Sequence, residues 1–363
     1  MPTESPVARA FTRFAYGASQ LPRVAWYVAH GLVLRRLSER ARAQDGETAR
    51  PRARTDAPVP ARGRLYADMG RLFLQDLANV EAGIYPLPAD RDGSPLALLR
   101  RSRLFFDDLP EIHRRREEGG HDEVLHERAD ARRPRYYLQN FHFQSGGWLT
   151  DDSAKRYDTQ VEVLFSGAAN AMRRQALPVL HEIFFGRDQR QLRLLDVGSG
   201  TGRFLDFVKQ AWPRLAVTGV DLSEPYLRYA KDHLRGRARL GLVVANGEAL
   251  PVADASQDAI TSVFLFHELP PKVRAIVMRE SARALKPGGR LVIVDSLQRG
   301  DRPDYEGLLD LFPQNYHEPY YASYASEDFS ALAAKCGLVH ARSVPAFVSK
   351  VMVFDKPRGR SAH

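Results

Sequence analysis

The chain has 363 residues, 44% of them hydrophobic and 27% charged, and a single cysteine. That composition excludes a wholly disordered chain, a collagen-like fibre, a membrane bundle, an internal disulfide and a zinc site of several thiolates. The net charge is +9, but residues 1–64 hold twelve Arg against five acids, so most of the excess lies in one arm and a nucleic-acid surface over the rest is not expected. No apolar run reaches the roughly 18 residues that span a bilayer. The longest, Val24–Leu34, runs into Arg35-Arg36 instead of a small-residue cleavage site, which argues against a signal peptide; the Arg-rich start leaves a transit peptide open.

In chain order, residues 21–42 predict an amphipathic helix carrying Val24, Trp26, Val28, Leu32, Leu34 and Leu37 among arginines. The favoured reading packs it on the body of the protein; the alternative lays it on a membrane surface as a peripheral contact. Residues 43–63, rich in Arg, Pro, Ala and Asp, read as a disordered linker. Helices are expected over 65–80, 95–106, 153–165 and 168–185, the last kinked at Pro178. Residues 136–148, Tyr-Tyr-Leu-Gln-Asn-Phe-His-Phe-Gln-Ser-Gly-Gly-Trp, fit neither a helix nor a strand pattern and are too aromatic for a solvated linker. His121 and His126 read as solvated residues of a charged helix.

From residue 192 strands and helices alternate. Strands are expected at 192–197, 216–220, 240–244, 259–266, 291–296, 339–344 and 349–354, and helices at 204–211, 225–234, 271–285 and 327–336. Continuous apolar strands in such an alternation predict a mostly parallel α/β sheet covered on both faces. The expected organisation is a basic helix and flexible linker over 1–64, a helical cap over 65–185 and an α/β domain over 186–358. The arm over residues 1–60 is expected to be dispensable for turnover, and residues 1–150 are not.

The loop Asp196-Val197-Gly198-Ser199-Gly200-Thr201-Gly202 closes the first strand. A dinucleotide fold needs a small residue at position 203, to pack helix on strand, and finds Arg203. An acid two residues before G-x-G-x-G instead resembles the first motif of the class I S-adenosylmethionine (SAM)-dependent methyltransferases. Three further stretches carry the resemblance: Asp221 ending the second strand, Ala245-Asn246-Gly247-Glu248-Ala249-Leu250-Pro251, and Leu285-Lys286-Pro287-Gly288-Gly289-Arg290-Leu291. It is closest to the ubiquinone/menaquinone-type and other small-molecule enzymes. The resemblance implies a Rossmann-like fold of seven strands and SAM as cofactor. It further implies that Asp196 holds the amino group, directly or through water, and that Asp221 accepts both ribose hydroxyls. Asn246, where the family usually has Asp, and the Gly247 N–H would bind adenine. Gly198, Gly200, Gly202, Leu222 and Phe264 complete the expected cofactor set, with Tyr157 over the methionine end.

The acceptor is expected at the carboxyl ends of the strands, where the fourth delivers Phe264-Leu265-Phe266-His267-Glu268. His267 is the candidate general base, with a rate rising through the ordinary histidine pKa of about 6.5, and Glu268 a base or orienter. Their structural alternatives are a histidine bonded to backbone and a first-turn acid. Tyr137, His142, His317 and Tyr320 are the candidate acceptor contacts. No metal is expected, because the pairs His267-Glu268 and His317-Glu318 lack helical ligand spacing. The sequence thus predicts a cytoplasmic enzyme that methylates an oxygen or carbon of a small, lipophilic or aromatic molecule. The alternatives are an RNA or protein methylase guided by the basic tail and a non-catalytic SAM-binding regulator.

Overall fold

The computed structural model describes residues 6–46, 51, 53–128 and 133–358. Eight helices precede the sheet: α1 (Pro6–Asp45), α2 (Arg62–Glu81), α3 (Pro95–Asp107), α4 (Leu109–Glu118), α5 (Glu123–Arg128), α6 (Asp151–Leu164), α7 (Ala169–Arg174) and α8 (Leu177–Phe184). Local chemistry sets several boundaries. Ser94 Oγ caps α3 ahead of Pro95, Thr150 caps α6, whose first turn holds Asp151 and Asp152, and Gly119 ends α4 in a left-handed conformation.

The sheet domain runs β1 (Arg193–Val197), α9 (Arg203–Ala211), β2 (Ala216–Asp221), α10 (Glu224–His233), β3 (Leu240–Val244), β4 (Gln257–Val263), α11 (Pro271–Ala284) and β5 (Leu285–Ser296). It continues with α12 (Glu306–Asn315), α13 (Tyr321–Ala325), α14 (Phe329–Lys335), β6 (Val339–Ala346) and β7 (Ser349–Asp355). The strand order is β3-β2-β1-β4-β5-β7-β6, with β7 antiparallel to both neighbours and the other pairings parallel. This is the seven-stranded, mostly parallel α/β sheet that the alternation predicts. Side-chain alternation divides its core. Leu194, Val292 and Val353 face α8 and α9, while Leu195, Ile293 and Phe354 face α11 and α14.

Several boundaries differ from the sequence reading. α1 is 40 residues long, continues through Pro22 and begins 15 residues before the predicted start. Of the predicted linker, residues 47–50 and 52 lie outside the described residues. The described remainder is partly helical and partly docked on α12: Thr55 Oγ1 donates to Asp310 at 2.7 Å and the Gly307 N–H donates to the Pro58 carbonyl at 2.8 Å. Pro178 does not kink one helix but sits in the first turn of a second, where its missing N–H costs nothing. β4 ends at Val263, three residues early, because Phe264 turns to φ 57° and a 3-10 turn follows over Phe266–Glu268. β5 already begins in the Leu285–Gly289 turn.

α1 is no detachable arm. Arg23, buried, meets Glu162 of α6 at 2.6 Å and Asp92 at 2.8 Å, and donates to the Gly167 carbonyl at 2.6 Å. The fully buried Arg174 of α7 bonds Asp76 of α2 at 2.6 Å and Asp90 at 3.0 Å, and Tyr16 of α1 donates to Asp76 at 2.6 Å. Burial alone would raise the Asp90 carboxyl, but Arg174 and Arg23 hold it down at about 2. Removing one partner of such a buried pair strands the other charge, at about 3–5 kcal/mol. Deleting residues 1–60 removes Tyr16, Gln20 and Arg23 from this network, which argues against the expectation that the arm is dispensable for turnover.

Candidate active site

The loop between β1 and α9 turns on three left-handed glycines. At Gly200, φ 52°, no heavy atom lies within 4 Å of where a Cβ would stand, so the backbone faces open space. The Gly200 N–H donates to Asp221 Oδ2 and the Ser223 N–H to Oδ1, each at 2.8 Å, which orients the carboxylate and leaves lone pairs for a diol. Burial raises the Asp221 pKa, opposed by these backbone bonds. A cavity here is walled by Gly198, Gly200, Asp221, Leu222, Asn246, Gly247, Phe264 and Tyr157.

Two predicted cofactor residues stand off that wall. Asp196 is buried behind the loop, accepting from Thr261 Oγ1 at 2.6 Å, and burial lifts its pKa to about 7. Gly202 packs against α10, where a Cβ would come 2.7 Å from Leu234. One Asn246 Oδ1 lone pair is already taken by the Glu248 N–H at 3.0 Å.

The aromatic segment roofs the cavity. Gly147 permits its turn, since a Cβ there would lie 2.5 Å from the Gln139 carbonyl. Trp148 stacks on Phe141 at 5.8 Å and meets the edges of Tyr157 and Tyr226 at 5.5 and 5.8 Å. Tyr137 lines this cofactor cavity, not the acceptor side expected of it. The roof is tied to the glycine loop: Asp158, next to Tyr157, accepts from Thr201 Oγ1 and from Arg203, both at 2.7 Å. Arg203, the residue that spoils a dinucleotide motif, is thus the anchor of α6.

A second cavity of about 580 Å³ shares Tyr157, Phe264 and Glu268 with the first. Its walls are largely apolar, with Val28, Gly31 and Leu32 of α1, Leu65 and Met69 of α2, and Leu308 and Phe312 of α12. The polar groups converge at the junction. His267 Nδ1 lies 2.6 Å from Asp295 Oδ1, and Asp295 also accepts the N–H groups of Phe266 at 2.8 Å and Ser296 at 2.7 Å. Burial would lower the His267 pKa, but Asp295 outweighs it and the group sits at about 10. Burial and the neighbouring Glu318 push Glu268 well above the usual carboxylate range. His142, held at φ 56°, brings Nε2 to 2.9 Å from Glu318 Oε1.

Of the predicted acceptor contacts, His142 lines this cavity, whereas His317 and Tyr320 line neither. They bond Gln139 from two sides, His317 at 2.7 Å and Tyr320 at 3.1 Å, and His317 stacks on His121 at 4.3 Å. Burial and His121 lower the His317 pKa to about 4. The sequence reading missed Asp295 and Tyr321 and weighed Glu318 only in the pair His317-Glu318. An acid at the carboxyl end of β5 was a usable signal for Asp295; nothing local marks Tyr321, which lines the larger cavity. His142, Glu268 and Glu318 bring their ligand atoms within 4.8 Å of one another, from three segments that sequence spacing does not connect.

Fold and loop together define an α/β domain with a nucleoside-type cofactor pocket beside a largely apolar cavity. Residues 194–289 match the family model described as a methyltransferase domain. The chain is 30% identical over 183 residues to the demethylmenaquinone methyltransferase of Thermotoga maritima, covering 50% of this chain and 75% of that enzyme. It is 42% identical over 99 residues to the malonyl-[acyl-carrier protein] O-methyltransferase of Methylococcus capsulatus, covering 27% of this chain and 35% of that one, about a third of its length. A solved SAM-dependent methyltransferase from Aquifex aeolicus is 20% identical, with a TM-score of 0.41 over 57% of this chain and 98% of that one. The chain belongs to the class I SAM-dependent methyltransferases, and its cofactor is SAM.

Proposed function

We propose that the protein transfers a methyl group to an oxygen or carbon of a small lipophilic or aromatic molecule held in the 580 Å³ cavity. The observation that carries this reading is the shared wall: Tyr157, Phe264 and Glu268 border both cavities, so an acceptor in the larger one abuts the cofactor pocket. The volume and apolar lining suit a drug-sized molecule. Asp221 would hold the ribose, Asn246 and Gly247 the adenine, with Asp196, Gly202 and Leu222 shaping the loop around them. When bound, SAM supplies an electrophilic methyl on a sulfonium. For an oxygen acceptor, His267 Nε2 takes the hydroxyl proton while Asp295 fixes the Nδ1–H tautomer and balances the imidazolium. Glu268, kept neutral by burial and Glu318, donates a hydrogen bond that orients the acceptor. His142 lies beside Glu268, with its Nε2 on Glu318.

A cytoplasmic, membrane-peripheral placement goes with this acceptor class. It is supported by the unpaired Cys336, and among the described residues no helix is long and apolar enough to cross a membrane. The test is transfer of label from methyl-labelled SAM into organic-extractable metabolites of a cell extract. Label confined to protein or RNA would replace this reading with the macromolecular alternative, and SAM binding without any transfer would replace it with the regulator.

A further inference from the structure

α1 carries an apolar face turned away from the protein body as well as the face that packs on it. Its inward face mixes polar and apolar groups: Gln20, Arg23 and His30 are buried there beside Tyr16 and Tyr27, with Val24, Trp26 and Leu34 half-buried around them. Its outward face carries Val7, Phe11, Phe14, Leu21 and Leu32, exposed by 79, 71, 73, 71 and 54%. At 3.6 residues per turn these five fall within about 80° of one another, roughly opposite the buried set, and form a ridge about 37 Å long. A contiguous apolar ridge of this kind marks a surface that something covers.

Charge narrows what covers it. α1 has seven arginines against Glu39 and Asp45. Arg23 is buried on the inward face against Glu162 and Asp92, Arg13 meets Glu81 and Arg35 meets Glu39, so the charge that faces outward past the ridge is that of Arg36 and Arg40. Arg36 lies one turn beyond Leu32 on the same side, and Arg35 and Arg40 are exposed next to it. The occupant is therefore anionic, and a second copy of this basic helix is disfavoured by repulsion. The ridge also meets the acceptor chamber. Leu32 belongs both to the ridge and to the cavity wall, together with Arg35 of α1 and with Arg62 and the half-exposed Tyr66 of α2. An acidic carrier protein would need charge around this mouth and no apolar ridge running on to Val7. A long apolar strip with arginines at its border fits a lipid surface.

We propose that the outward face of α1 lies on an anionic bilayer surface, which sets the mouth of the acceptor cavity against lipid. The proposal rests on the lipophilic-acceptor reading above and locates the source of that acceptor. The test is co-sedimentation of the full chain with vesicles of phosphatidylcholine alone and with a share of phosphatidylglycerol. Binding at least tenfold tighter to the anionic vesicles is expected. The variant Phe11→Ser/Phe14→Ser/Leu21→Ser, which alters only the outward face, should lose at least tenfold of it with an unchanged melting curve. The variant Arg36→Gln/Arg40→Gln should lose the preference for phosphatidylglycerol. Wild-type chain that ignores anionic vesicles, or a folded triple variant that binds them as well as wild type, overturns the proposal. So does capture by a purified acidic carrier protein without vesicle binding. Vesicle binding without methylation of any organic-extractable acceptor sinks the acceptor reading and leaves the docking face standing.

Discussion

Replacing Asp295 by Asn tests the dyad on which the proposed chemistry depends. The carboxylate sits 2.6 Å from His267 Nδ1, and the groups facing the imidazole from elsewhere are Glu268, Glu318 and the rings of Tyr321 and Tyr324. Unit charges roughly 4 Å apart at an effective dielectric near 20 attract by about 4 kcal/mol, or about three pKa units at about 1.4 kcal/mol each. Losing the Asp295 charge should therefore bring His267 from about 10 to about 7. The base must be neutral to accept a proton, so below its pKa the active fraction falls tenfold per pH unit. The wild-type rate should climb steadily from pH 6 towards 10, not level off near the ordinary histidine value. Asp295→Asn should level off about three units lower, at a plateau reduced by about 10²–10⁴-fold, because the Nδ1–H tautomer is no longer fixed. The assay is the pH–rate profile of label transfer from SAM, with the His267 ring proton followed by NMR. Identical rising limbs in the two proteins, or a wild-type rate flat from pH 6 to 9, would refute the assignment of His267 as base.

Asp221→Ala should weaken SAM binding at least tenfold by calorimetry while the melting curve is kept, since two charge-assisted bonds of about 1.5–3 kcal/mol each are lost. Unchanged affinity would remove Asp221 from the cofactor site. Chelation should leave turnover unaltered, because protonation of Glu268 already relieves its repulsion with Glu318. Activity lost to a chelator and restored by Mn²⁺ would instead make His142, Glu268 and Glu318 a cation site.

The sheet was legible because each strand is a short apolar run bounded by a turn, and the pattern is local. The turns at the glycines and at Asp221 were legible because a β-strand, a tight turn and a helix lie within a dozen residues; the cofactor roles came from the family resemblance. The rest was not local. The β4 end was misread because Phe264-Leu265-Phe266 is apolar enough to continue a strand, while a single left-handed residue ends it. His317 read as an acceptor contact, yet its side chain turns to Gln139 while that of Glu318 turns to His142 at the cavity junction. α1 misled for a subtler reason. Its buried side holds Gln20, Arg23 and His30, whose partners lie on α3, α6, α7, Gly167 and the 90–92 segment, so the helix reads as packed on the body while the polar contacts that tie it there are far apart in sequence.

The presence of α1 and α2 in the wall of the acceptor chamber separates two kinds of evolutionary freedom. The residues proposed to hold the cofactor and move the proton all come from the sheet domain and α6, whereas the far end of the chamber is built by helices outside the matched family region. At Gly31 nothing lies within 4 Å of a Cβ, and the position faces the cavity. Drift at cavity-facing positions such as Gly31, away from the buried network of Tyr16, Gln20 and Arg23, can therefore reshape the molecule that the proposed chamber accepts while leaving the transfer chemistry untouched. Divergent substrates within one conserved catalytic core are the expected outcome of that arrangement.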